Sequence, residues 1–399
     1  MVEIFEEGKS WAKMIYLDNS ATTEISLAVK EKMIKTLDIY GNPSSTHKAG
    51  IEARRIIDEA RQKVGMALGV GLAGAENLIF TASGSEANNT AILGCVYAKE
   101  KRRANKIITT DSEHPSVENV MKKLEKEGFE VIRIASRDGR LDEEQFSLAL
   151  DDKTLLVSMM LVNNETGAVY DLKKLFGMAK KRFPEVITHC DAVQGFMKIP
   201  FTPKGISADL VSISAHKIHG PKGVGALYIS PEIIKAKKIV PYIIGGGQER
   251  GYRSGTENIV GIAGFGAAAD EAKADFAKNN AIITCLRDAC EQIVKDAGAR
   301  TNIPTGARAP HVLSVTLPDI KSETMLNYLS GEGICISAGS ACSAHSKNMS
   351  GTLMAFGLSP HDADCTVRIS FSAYNTEEDI KAFQKAFEKG INTLVRINH

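Results

Sequence analysis

The sequence predicts an α/β protein: a large domain built on a mainly parallel sheet covered by helices, and a smaller α+β C-terminal domain. Three observations predict it. Near-continuous apolar runs such as TLLVSMMLV alternate with amphipathic ones such as DLKKLFGMAKKR, the pattern of buried parallel strands covered on both faces. His114, Asn164, Asp191 and Lys217 each fall just after such a run, where open α/β sheets gather ligands. From Gly245 the alternation breaks into GGGQERGYRSGTEN, and a long helical pattern follows. The large domain is expected over 15–260 and the small one over 261–399, the latter joined by the N-terminal arm 1–14.

The elements follow in order. MIYLDNSATT reads as a short strand entering a polar turn. Residues 48–68 place Ala53, Ile56, Ile57, Ala60, Val64 and Leu68 on one helical face. GVGLAG matches the dinucleotide glycine pattern by letter, but it follows a helix and leads into a strand at 77–81, so it is read as a helix stop. NLIFT then runs into a helix over 83–98, with Ser83 and Glu86 at capping-box spacing. Strands are expected at 106–110, 129–134, 154–162 and 185–191, and in DLVSIS before Lys217, with GVGAL as a further short strand. Helices are expected after Pro115, near 142–150 and over 171–182. In the second domain a helical region over 256–297 breaks near Asn279. Strands over 312–317, 334–337 and 366–371 alternate there with helices near 322–332 and 376–396, the last capped by Thr376 and Asp379.

Composition narrows the function. The 399 residues are 43% hydrophobic with a net charge of +1, which speaks for neither a nucleic-acid nor a membrane-surface partner. The acidic N-terminus lacks an apolar core, and no apolar run has the length of a membrane span. Seven cysteines occur without a C-x-x-C pair, as expected of a reducing cytoplasm.

Several residues carry chemistry. Lys217 ends a strand between His216 and His219; partial burial beside cationic groups would lower its pKa and make it a Schiff-base nucleophile, though an exposed loop lysine is the plainer reading. Gly84 and Ser85 open a helix whose first N–H groups could hold a phosphate. Asp191 could cap a helix, or pair with a protonated pyridine nitrogen; Gln194 could reach the same ring's hydroxyl. His114 could stack on that ring or bond locally at its helix start. Cys342, in SAGSACSAHS, is an accessible nucleophile or a loop cysteine; metal ligation with His345 is the weaker alternative, and no metal site is expected. Arg368 lies within a strand, where a substrate carboxylate or a structural ion pair would explain it.

Together YLDNSATT, GNPSSTH, TASGSEANN, SEHPSV, VNNETG, DAVQ, SAHKIHGPKGVGAL, GGGQERGYRSGTEN, GSACS and VRISFS resemble, in order from Met14 to Lys389, the cysteine desulfurases of the NifS/IscS kind, in the class V aminotransferase group with fold type I. The resemblance implies pyridoxal 5'-phosphate bound through Lys217, with Asp191 on the pyridine nitrogen, Gln194 at the ring hydroxyl and His114 on the ring. It implies Gly84, Ser85, Ser214 and His216 at the phosphate, with Thr256 supplied by the other subunit of a homodimer. Asn164 and Arg368, with Asn42 nearby, would bind the substrate carboxylate. Lys217 would move the α-proton of L-cysteine. The Cys342 thiolate would then take the sulfur as a persulfide, for delivery to an acceptor protein in iron–sulfur or thio-cofactor assembly. A selenocysteine lyase or class V transaminase is the alternative on this scaffold, and a non-catalytic sulfur-carrier subunit one of another class. Two departures stand out: Ala373 replaces a second arginine common in the family, and the chain stops at His399, short of the tail with which some members dock a scaffold.

Overall fold

The computed structural model describes residues 14–98, 104–339 and 350–397. Its strands are β1 (Ile15–Tyr16), β2 (Leu78–Thr81), β3 (Lys106–Thr110), β4 (Glu130–Ile134), β5 (Thr154–Met160), β6 (Ala168–Val169), β7 (Ile187–Asp191), β8 (Leu210–Ser214), β9 (Gly225–Ile229), β10 (Arg300–Thr301), β11 (Ala307–Arg308), β12 (Val312–Thr316), β13 (Ile334–Cys335) and β14 (Thr366–Ser370). Seven form the main sheet in the order β2-β9-β8-β7-β5-β3-β4. All run parallel except β9, which turns back from β8 and pairs antiparallel with both its neighbours. Parallel pairing directs the C-terminal ends of β3, β5, β7 and β8 to one edge.

Side-chain alternation explains why both faces are covered. Phe80, Ile108, Val157, Val211 and Ile213 enter one core with the helices Lys48–Leu68, Leu172–Arg182 and Ile259–Ala274. Their alternates Ile79, Ile107, Leu156 and Leu210 enter the other, with Gly84–Tyr97 and Pro115–Lys126. A third core joins Leu17 to the antiparallel sheet β10-β12-β14 and to the helices Phe276–Asp296, Ser322–Gly331 and Glu377–Thr393.

Local signals act as their chemistry dictates. Gly69 ends its helix in the left-handed conformation. Ser83 Oγ accepts from Glu86 N, while Glu86 reaches back to Ala82 N. Thr376 and Asp379 form the full reciprocal box.

Several expectations need correction. The helical region breaks at Asp275, not near Asn279. The four-residue strand expected at 334–337 keeps only β13, which pairs parallel with β1. Helices Leu27–Leu37, Gly351–Phe356 and Pro360–Asp364 were not anticipated. Ile262, Phe265, Ala268 and Ala269 belong to the first core and Ile283, Leu286 and Cys290 to the third. A domain boundary at Asp275, with residues 15–17 counted in the small domain, is therefore our proposal in place of 260. No described helix is long and apolar enough to cross a membrane.

Candidate active site

The strand ends at the shared edge wall a cavity of about 260 Å3. β3 delivers His114, β5 Asn164, β7 Asp191 and Gln194, and β8 Ser214, His216 and Lys217; Gly84 and Ser85 come from a helix start and Arg368 from β14. Ten of the residues singled out in the sequence thus line one space. Asn42 and Thr256 do not: both are exposed, and Asn42 Oδ1 accepts from Ser44 N. Cys342 and His345 lie outside the described residues.

Each group is held by neighbours. Lys217 Nζ donates to Ser20 O at 2.6 Å and Ala21 O at 2.8 Å, so the turn after β1 positions the amine. Asp191 Oδ1 accepts from Val193 N at 3.0 Å and Oδ2 from Asn88 Nδ2 at 2.7 Å. Asn88 also donates to Ser116 Oγ. His114 caps its helix, with Nδ1 accepting from Ser116 N; that bond assigns the proton of the neutral ring to Nε2. Burial lowers the His114 pKa, Asp191 opposes that shift and Lys217 adds to it. Gln194 donates to Ser20 O and meets His311 Nε2 at 3.2 Å.

The histidines flanking Lys217 correct one expectation. Burial first, and Lys217 and Lys222 second, lower the His216 pKa to about 4. Burial also brings His219 to about 4, and its Nδ1 bonds Glu24 O. Both rings are neutral near pH 7 and add no positive charge beside the lysine.

Arg368 is buried. It donates to the backbone oxygen of Asn164 at 2.9 Å and to Asp18 Oδ1 at 2.8 Å, and its Nε finds no partner among the described residues. Burial raises the Asp18 carboxyl pKa and Arg368 pulls it back. Two residues before Asp191, His189 bridges Ser158 Oγ and Ser212 Oγ at 2.8 and 2.9 Å, and burial depresses its pKa to about 3. Asp18, Asn88, Ser116, His189 and His311 escaped the sequence reading. Asp18 and Asn88 stand inside two of the quoted motifs, but only tertiary contacts disclose what they hold.

The cavity fits a phosphorylated heteroaromatic cofactor. Ser214 Oγ is buried without a partner among the described residues. It stands beside the start of Gly84–Tyr97, where a Cβ on Gly84 would come within 2.8 Å of Val193 and 3.4 Å of Ser214. Helix N–H groups and a spare hydroxyl suit a phosphate. A larger cavity of about 1120 Å3, lined among others by Leu161, Met197, Phe201 and Phe276, holds none of the predicted site residues.

Comparison with known proteins places this geometry. The family described as "Aminotransferase class-V", whose members depend on pyridoxal phosphate, matches residues 15–383; the chain belongs to it. Within it, the chain is 40% identical to a cysteine desulfurase of Sinorhizobium fredii, over 92% of this chain and 93% of that one. It is 38% identical to the cysteine desulfurase IscS of Dictyoglomus turgidum, over 96% of each. Among solved structures, a NifS-like protein superposes with a TM-score of 0.89 at 37% identity, covering 96% of this chain and 100% of that one. SspA in complex with cysteine gives 0.77 at 31%, covering 90% and 99%.

Proposed function

We propose that the protein is a pyridoxal phosphate-dependent cysteine desulfurase that converts L-cysteine to L-alanine and takes the sulfur on Cys342. The observation that carries this reading is an amine and a carboxylate, Lys217 and Asp191, at adjacent ends of β8 and β7 on one cavity.

When bound, the cofactor supplies a protonated ring that draws electron density from the substrate's α-carbon. Asp191, already held by Asn88 and Val193, would keep the ring nitrogen protonated. Lys217 would anchor the cofactor and then move the α-proton. Ser214, His216 and the first turn of Gly84–Tyr97 would hold the phosphate. His114 would lie against the ring, and Gln194 would meet its hydroxyl. Arg368, whose Nε–H has no partner among the described residues, would meet the substrate carboxylate, with Asn164 alongside. The Cys342 thiolate would attack the substrate sulfur: the carbon–sulfur bond breaks, a sulfur–sulfur bond forms, and alanine leaves with its proton restored. A persulfide then remains for an acceptor protein in iron–sulfur or thio-cofactor assembly. We assign this to the cytoplasm.

A homodimer accounts for the two site residues that this chain does not bring to its own cavity. Arg54 donates to Pro43 O and to Glu257 Oε1, which holds the segments carrying Asn42 and Thr256 together. Large apolar side chains stand exposed on neighbouring stretches of chain, among them Tyr40, Ile51, Tyr242 and Ile244. An apolar surface of this kind suits a second copy, to whose cavity Asn42 and Thr256 would contribute.

The experiment is alanine and sulfide release from L-cysteine with a reductant, comparing the parent with Cys342→Ala. Both products from the parent and neither from the variant support the reading. If neither protein makes them while both hold the cofactor, the substrate is wrong, and selenocysteine and amino-group transfer are tested next.

A further inference from the structure

Glu165, in VNNETG, is almost fully buried, yet the desulfurase chemistry above gives it no task. Its Oε2 accepts a 2.5 Å hydrogen bond from Ser350 Oγ. The same oxygen would lie 3.0 Å from a Cβ added to Gly339, and the Ser350 Cβ 3.6 Å from it. Gly339 and Ser350 are the residues on either side of segment 340–349, which contains Cys342. One carboxylate therefore sits at both ends of that segment.

The backbone around Glu165 is fixed. Asn163 Oδ1 accepts from Glu165 N and Thr166 N, and the next carbonyl, that of Asn164, accepts from Arg368. The substrate-carboxylate arginine and the base of the cysteine segment are thus registered on consecutive residues. Gly339 has φ +51°, a conformation that strains any side chain, and its missing side chain is what admits the carboxyl.

We infer that Glu165 is a positioning residue for the sulfur-transfer step: with Ser350 and Gly339 it sets the base of the Cys342 segment relative to Arg368, and so to the substrate. This rests on Cys342 being the nucleophile. Glu165 does not line the cavity. Burial raises its pKa, Ser350 and Arg368 opposing the shift, so a neutral amide that still accepts from Ser350 should replace it.

The test is single-turnover reaction of the holoenzyme with L-cysteine, using the parent, Glu165→Ala, Glu165→Gln and Ser350→Ala. Absorbance of the bound cofactor reports substrate engagement, and mass spectrometry of quenched protein reports sulfur on Cys342. Glu165→Ala and Ser350→Ala should engage substrate within about twofold of the parent but load Cys342 at least tenfold more slowly, with Glu165→Gln within about threefold. Should Glu165→Ala fail to fold, Ser350→Ala and Gly339→Ala carry the comparison. Parent-like loading in Ser350→Ala and Glu165→Ala overturns the proposal. Equal slowing of engagement and loading also overturns it, because the effect would then act through Asn164 on the cavity. A parent that never carries sulfur on Cys342 removes the nucleophile assignment, and the proposal with it, while leaving alanine production to be explained.

Discussion

Asn88 donates a 2.7 Å hydrogen bond to Asp191 Oδ2 from a helix 103 residues earlier in the chain. A neutral amide therefore aims the carboxylate. Asn88→Ala should lower cofactor affinity and alanine formation by roughly tenfold, the order expected for a lost hydrogen bond to a charged group. Asp191→Ala should cost far more. Cofactor titration by absorbance checks both, and an unchanged affinity in Asn88→Ala would contradict the aiming role.

Lys217→Ala should abolish covalent attachment of the cofactor. Borohydride treatment should add the cofactor's mass to the Lys217 peptide of the parent and leave the variant unlabelled. Alanine formation should fall by about a thousandfold or more, as for the loss of a group that acts as both anchor and base. Label on a different lysine would move the assignment.

Arg368→Lys should raise KM for L-cysteine by about tenfold to a hundredfold. An ammonium cannot reproduce the planar fork that now donates to Asn164 O and Asp18 Oδ1 and keeps an Nε–H unpartnered among the described residues. Steady-state kinetics read this directly. An unchanged KM would leave Arg368 as a structural ion pair with Asp18.

Glu113 predicts a pH dependence of stability. It is buried beside His114, with Oε1 accepting from Met160 N and Thr110 Oγ1 and Oε2 unpartnered among the described residues. Burial raises its pKa from 4.5 to about 8, with Asp191 and Glu118 adding to the shift and the two hydrogen bonds opposing it. A raised native pKa contributes stability that is complete below the ordinary value and lost as pH climbs through about 8. The parent's Tm should therefore fall between about pH 4.5 and 8, and that of Glu113→Gln should fall less. Equal losses in both would put the titration elsewhere.

Ile244→Lys should dissociate the proposed homodimer. Sedimentation should then report half the parent mass, and cofactor affinity should drop because Thr256 no longer reaches a neighbouring cavity. A variant that stays dimeric would move the interface to another face.

Legibility from sequence followed the range of the forces involved. Lys48–Leu68 was readable to its ends because ten of its residues are buried at helical spacing. Leu27–Leu37 was not, because it buries only Val29 and Thr36 and so shows no apolar stripe. The strand ends bearing His114, Asp191 and Lys217 were visible as polar residues closing apolar runs. The neutrality of His216 and His219 was invisible, since burial, not neighbouring letters, sets their pKa values. Asn42 and Thr256 carried a motif but no address; only the folded chain shows that they are exposed and do not line its own cavity. Glu165 stood within a recognised motif while its partners lie 174 and 185 residues further on.

The start of the chain reaches its partners late. Ile15 and Tyr16 pair with Ile334 and Cys335, Asp18 holds Arg368, and Ser20 N bonds Ser370 Oγ. On a ribosome residues 15–20 must wait for nearly the whole polypeptide before they are enclosed. The main sheet can assemble meanwhile, as domains generally fold as units during synthesis. The turn that positions Lys217 is bonded to β14, so a chain lacking β14 would form the main sheet without that turn held in place. The amine of Lys217 is thereby held by a turn whose own anchor, Ser370, is among the last residues made.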